Sequence, residues 1–170
     1  MIRPQSGIYI AEMGASALDG LISNILTMDP QTVWDFIETR SHLEILSAGL
    51  AAERASKENL ENIRIAHRNF INAFKKGEKT LETDHLFHLA IVKSSGNRVL
   101  QSLISLLTPD IIALNRNFVE KDQVNYRNTP EEHQKIVDSI ESGKPDAASA
   151  AMSRHMDASR IRRMGKQWRN

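Results

Sequence analysis

The sequence predicts an all-α protein, an antiparallel bundle of about six helices. Apolar residues recur at spacings of three and four along nearly the whole chain, which puts them on one stripe of a helix. Glycine and proline are few, 8 and 5 in 170 residues, and most fall between the periodic segments. The connections are short, and short connections make consecutive helices antiparallel neighbours.

Each element has a local reason. Ile8, Tyr9 and Ile10 are β-formers after the turn-like Pro4-Gln5-Ser6-Gly7, the one strand-like stretch. Ala15 to Met28 carries Leu18, Leu21, Ile22 and Ile25 and suits a short helix. Asp29-Pro30 is an N-cap followed by proline at the first helical position. That helix is expected to run to about Ala55, with Val33, Phe36, Ile37, Leu43, Leu46 and Leu50 facing a core. Ser56 caps the next, which reaches about Lys76 with Leu60, Ile63, Phe70 and Phe74 inward and Gly77 at its end. A third helix spans about Thr80 to Ser95 and stops at Ser95-Gly96. A fourth runs from Asn97 to about Val119, kinked or broken at Pro109. After a polar stretch, Thr129-Pro130-Glu131-Glu132 reads as a capping box opening a helix that ends near Gly143. Lys144-Pro145-Asp146 opens the last helix, which reaches about Gln167.

Composition removes several function classes. Lys+Arg is 22 and Asp+Glu 21, a net charge of +1, which argues against indiscriminate nucleic-acid binding by the whole surface. The local exception is the C-terminal run Arg154, Arg160, Arg162, Arg163, Lys166 and Arg169, which most simply complements a helix dipole. Aromatic residues are only 5%, too few for base-stacking platforms. There is no cysteine, so disulfide scaffolds, thiolate metal sites and thiol catalysis are excluded. No apolar run approaches a membrane span and Met1 to Gly14 lacks the core of a signal peptide, so a cytoplasmic protein is expected.

The chemistry-bearing signal lies in the histidines. Asp84 and His88 are four apart on a predicted helix and so share a face, a spacing at which two ligands can grip one cation. His133 lies about ten residues before the turn near 143–144 and His155 about twelve after it. In an antiparallel hairpin the two stand at nearly the same level. One carboxylate and three imidazoles suit a divalent transition metal, zinc foremost, with nickel, manganese or iron as alternatives, better than calcium. Four such ligands leave two positions of an octahedron for water or an organic acid. His85 points about 100° away from Asp84 on the helix. His42 and His67 read as polar-face residues, solvated or hydrogen-bonded.

Arg40 and Glu44 form an i, i+4 pair beside an apolar stripe. The residues alone favour a surface ion pair; the alternative is a polar cavity inside the bundle, where the arginine forks onto a carboxylate. Glu82-Thr83-Asp84-His85 matches E-x-x-H, but a di-iron bundle needs a second copy and there is none. Phosphate-binding glycine loops and the G-x-S-x-G nucleophile motif are absent. Three readings stand: a sensor that binds a metal and an acid, a metalloenzyme with Glu44 as base, and a metal-free interaction module.

Three ordered motifs resemble the FCD effector-binding domain of GntR-family transcriptional regulators, FadR subfamily, over about Pro30 to Met164. They are Phe36-Ile37-Glu38-Thr39-Arg40 with Leu43-Glu44 and Ala51-Ala52; Asp84-His85-Leu86-Phe87-His88 with Ser95-Gly96-Asn97; and Glu132-His133-Gln134-Lys135-Ile136 with Ile140, Ala147, Ala151, Met152 and His155. The resemblance implies a bundle of six to seven antiparallel helices, not an enzyme, with Asp84, His88, His133 and His155 as metal ligands. It implies a small carboxylate effector, for which Arg40 and Glu44 are the candidate ligand-binding residues, and a homodimer without membrane contact. Residues 1–12 resemble the remnant of a winged helix-turn-helix wing, a short β element in which Gln5 stands where glycine is common. Residues 13–28 are then a linker helix and 29–170 the effector-binding bundle. The rest of the winged domain, recognition helix included, is missing, so operator DNA is expected only through that absent domain.

Overall fold

The structure, a computed structural model, describes residues 30–105 and 126–164, with side chains over 35–105 and 126–162. The expected wing remnant, the linker helix, Pro109 and the chain beyond Met164 lie outside the described residues. Those described are helical, without strand: α1 (Pro30–Arg54), α2 (Lys57–Lys75), α3 (Leu81–Ser94), α4 (98–105), α5 (Thr129–Glu141) and α6 (Pro145–Met164). None of these helices is long and apolar enough to cross a membrane.

Helix boundaries follow local chemistry. Ser56 caps α2 by accepting from the Asn59 amide at 3.1 Å. The Asn97 side chain accepts from the Val99 and Leu100 amides at 3.0 and 3.2 Å and so opens α4. Gly77, Gly96 and Gly143 follow the ends of α2, α3 and α5 with φ of 69°, 66° and 62°, the left-handed turn that a side chain would strain.

The expected capping box at α5 does not form. Asn128 occupies the N-cap position without a side-chain bond, and the Thr129 hydroxyl is buried with no hydrogen-bond partner. Glu132, which should reach back to the helix start, instead turns toward α6. A charge-assisted contact to arginine outweighs a local backbone cap.

α1 packs against α6, α3 and α5; α2 lies against α3 and α5; α5 and α6 form a hairpin. The core is built from Ala48, Ala51, Ile63, Phe87, Ile91, Ile136, Ile140 and Met152, all at most 3% exposed. The inward face of α1 differs from the one its large apolar residues suggest. Leu46 is 50% exposed, whereas Ile37, Arg40, Glu44, Ser47, Ala48 and Ala51 are buried. Those six keep the three–four spacing, but two are charged, so hydrophobicity alone selects the wrong stripe. His67 is likewise buried, in the series Ile63, His67, Phe70, rather than on a polar face. Its ring packs against Phe87, with centroids 5.6 Å apart.

Small residues bring α1 and α6 together. A Cβ added at Gly49 would stand 2.5 Å from Ser149 Oγ, which donates to the Ile45 carbonyl at 3.2 Å. Gly49→Val is therefore expected to lower stability by about 1–3 kcal/mol through overpacking. Gly49→Ala combined with Ser149→Ala removes that clash and adds helix propensity, so it should be at least as stable as the parent. Urea denaturation of the three proteins checks both outcomes.

Candidate metal centre

Three helices supply the residues of one polar point. α3 carries Asp84 and His88, one helical turn apart; α5 carries His133 and α6 carries His155. One ligand-type atom from each of the four lies within 4.8 Å of the others. The three imidazoles are at most 3% exposed, and Asp84, half-buried, is the side nearest to solvent. His133 Nε2 lies 3.3 Å from Asp84 Oδ1, and His88 Nε2 4.0 Å from the same oxygen. His88 Nε2 and His155 Nε2 face each other at 3.1 Å.

The donor set fits a transition metal. Metal–nitrogen bonds of about 2.0–2.1 Å put neighbouring ligand atoms roughly 3.0–3.4 Å apart, close to the shorter separations here. His88 Nδ1 contacts Glu44 Oε2, and His155 Nδ1 is 2.9 Å from Glu132 Oε2. With the Nδ1 sides directed to carboxylates, neutral rings present both Nε2 lone pairs to the same point, where a cation would accept them. His133 Nε2 and Nδ1, both buried, have no hydrogen-bond partner.

The aromatic wall comes from α2 and α3. The His133 ring stacks on Phe87 with centroids 4.2 Å apart and lies 4.5 Å from Phe70. His67, 6.2 Å from His133 by centroid, closes the wall behind it and is not among the four. His85 is half-buried and sits under the field of Arg40 and His88. His42 is exposed.

Arg40 and Glu44 are not the surface ion pair that their spacing alone favours. Their side chains are 8% and 0% exposed, with Arg40 Nε 2.5 Å from Glu44 Oε1. Burial alone would raise the Glu44 carboxyl, but Arg40 and His88 together hold it well below the usual carboxylate range. Asp84 is also held far down: burial opposes this, and His133, His88 and His155 overcome it. Glu132 is lowered to about 2, with His155 and Arg162 outweighing burial. Burial pushes His133 down to about 3, and it lowers His67 and His155 as well. His88 is raised, because Glu44 outweighs its burial.

Sequence reasoning missed Glu132 and Arg162. Arg162 donates from both Nη atoms to the two Glu132 oxygens, each at 2.8 Å. The available signal was the hairpin itself: Glu132 and Arg162 lie on its two arms, as His133 and His155 do.

A family model described as the FCD domain matches residues 35–158, most of the chain. The chain belongs to the FCD domain family. The HTH-type transcriptional regulator LutR of Bacillus subtilis is 29% identical over 159 residues, covering 91% of this chain and 73% of LutR. The galactonate operon transcriptional repressor of Escherichia coli is 32% identical over 140 residues, covering 80% of this chain and 59% of the repressor. The chain thus spans little more than half of that relative. A solved Streptococcus agalactiae GntR superposes with a TM-score of 0.72 at 26% identity, covering 94% of this chain and 73% of that one. As an FCD domain related to GntR-family regulators, the chain is the effector-binding part of a metabolite-responsive transcriptional regulator.

The lowered histidines set a pH dependence in the metal-free protein. Between about pH 3 and 6.5 the unfolded chain binds a proton at His133 that the folded chain refuses, so stability falls as pH drops below 6.5. His67, His85 and His155 act in the same sense, while His88, raised, contributes fully below 6.5 and loses its contribution as pH rises through its folded value. Four against one, the thermal midpoint of metal-free protein should fall from pH 7 to pH 5. His133→Leu, of similar volume, should flatten that slope.

Proposed function

We propose that Asp84, His88, His133 and His155 hold a divalent transition metal, zinc foremost, and that the metal together with Arg40 captures a small organic acid. The observation that carries this reading is the convergence of three buried imidazoles and one carboxylate on a single point. Bound there, the cation acts as a Lewis acid that attracts a carboxylate or hydroxyl oxygen. Asp84 marks the side from which an acid approaches. Arg40 commits its Nε to Glu44, and its two Nη groups are the ones that can fork onto the acid. The relative named a galactonate operon repressor takes its name from a sugar acid, which supports this ligand class.

In this reading the domain dimerises and lies C-terminal to a winged helix-turn-helix that contacts operator DNA. The acid changes DNA binding only to the extent that it binds two arrangements of the dimer with different affinity. The metalloenzyme reading needs Glu44 as a general base. Glu44 is fully buried, engaged by Arg40 and His88 and strongly acidic, which makes it a poor proton acceptor.

Calorimetric titration of sugar acids and hydroxy acids into metal-loaded and metal-stripped protein tests the proposal. Binding is expected only in the loaded form, weakened at least about tenfold by Arg40→Lys, which keeps the charge near Glu44 but loses the fork. A broad acid panel that fails to bind loaded protein contradicts it. Steady turnover of a bound acid, abolished by His133→Ala, would establish the enzyme reading instead.

A further inference from the structure

Two of the three imidazoles at the centre are backed in the same way. Behind His88 stands Glu44, in contact with Nδ1, and behind Glu44 stands Arg40 at 2.5 Å. Behind His155 stands Glu132, 2.9 Å from Nδ1, and behind Glu132 stands Arg162, which donates one Nη to each carboxylate oxygen at 2.8 Å. The chain builds this arginine–glutamate–histidine series twice, from unrelated segments. In one, Arg40 and Glu44 share α1 and serve a histidine of α3. In the other, Glu132 of α5 and Arg162 of α6 serve a histidine of α6. His133 has no such backing; ring stacking against Phe87 and Phe70 fixes its plane instead.

We propose that Glu132 and Arg162 are positioning residues for the metal centre, holding His155 with its proton on Nδ1 and its Nε2 lone pair aimed at the cation site. This deepens the metal reading above and rests on it. The tautomer follows from the geometry: a carboxylate accepts, so the nitrogen facing Glu132 must carry the proton, and the other nitrogen is then a lone pair. Arg162 makes that choice firm. Its two parallel bonds keep both Glu132 oxygens in one plane, so the carboxylate cannot swing off the ring. The side chains of Glu132 and Arg162 are 19% and 10% exposed, shielded enough for the charge pair to act as a fixed support. The Arg162 guanidinium also lies 5.7 Å over the Tyr126 ring, which holds it from the far side. Giving up the α5 capping box is the local cost of this arrangement: Glu132 is the residue that would have made it.

Nitrogen-15 NMR of the full metal-free chain tests the proposal without any substitution. Long-range proton–nitrogen correlations, with the His155 signals assigned by His155→Gln, should show a protonated Nδ1 and an unprotonated Nε2. A proton on Nε2 overturns the proposal. Zinc affinity, read by competition with a chromophoric chelator, should fall about 10–100-fold in Glu132→Ala. Arg162→Met should lower affinity in the same direction, and Glu132→Gln, which keeps an acceptor oxygen, should recover part of the loss. A folded Glu132→Ala protein with parental zinc affinity also overturns it. If Glu132→Ala does not fold, the tautomer of the parent still decides. A parent that takes up no zinc contradicts the metal reading, and the NMR result judges the positioning of His155 separately.

Discussion

The bundle is organised around buried lone pairs that converge on one point. Three imidazoles and a carboxylate from α3, α5 and α6 meet beside an apolar core. Burying such groups is unfavourable unless each finds a partner. Here the partners come in layers: carboxylates behind two of the imidazoles, arginines behind the carboxylates, aromatic rings beside the third. The unusual features of the fold trace to that demand. Charged residues sit on the core stripe of α1, a histidine sits on the core stripe of α2, and a capping box is given up at α5.

Such a centre couples folding to occupancy. Without a cation the Nε2 atoms of His88 and His155 have only each other, 3.1 Å apart, and both His133 nitrogens are buried without a hydrogen-bond partner, so the centre is short of partners. A ligand that binds the folded form and not the unfolded one adds its binding free energy to stability. The same coupling suits a sensor. The centre ties α3, α5 and α6 together, and α1 joins it through Arg40 and Glu44, so a change in coordination is felt by four helices at once.

Much of this was legible in the sequence. Glycines and caps located the described helices, because turn chemistry is local: Gly77, Gly96, Gly143 and Ser56 each do what their residue type requires. The hairpin spacing that set His133 level with His155 holds, with the two rings 4.6 Å apart. Three features were not legible, and for one reason. His67 follows Ile63 and precedes Phe70 at core spacing, Arg40 and Glu44 fall on the buried series of α1, and Glu132 leaves its cap for Arg162. Glu44 and Glu132 take their positions beside histidines distant in sequence, His88 and His155, and His67 packs its ring against Phe87. Periodicity of hydrophobic residues cannot register that, and helical spacing without regard to polarity can.

Metal content per chain tests the central claim most directly. Protein purified without a histidine tag, beside Asp84→Ala, would be examined by elemental analysis before and after reloading with zinc, nickel or manganese. Roughly one transition-metal ion per chain, reduced in the variant, is the predicted result for a three-imidazole, one-carboxylate centre. A folded parent chain that holds no metal even after reloading would contradict the account.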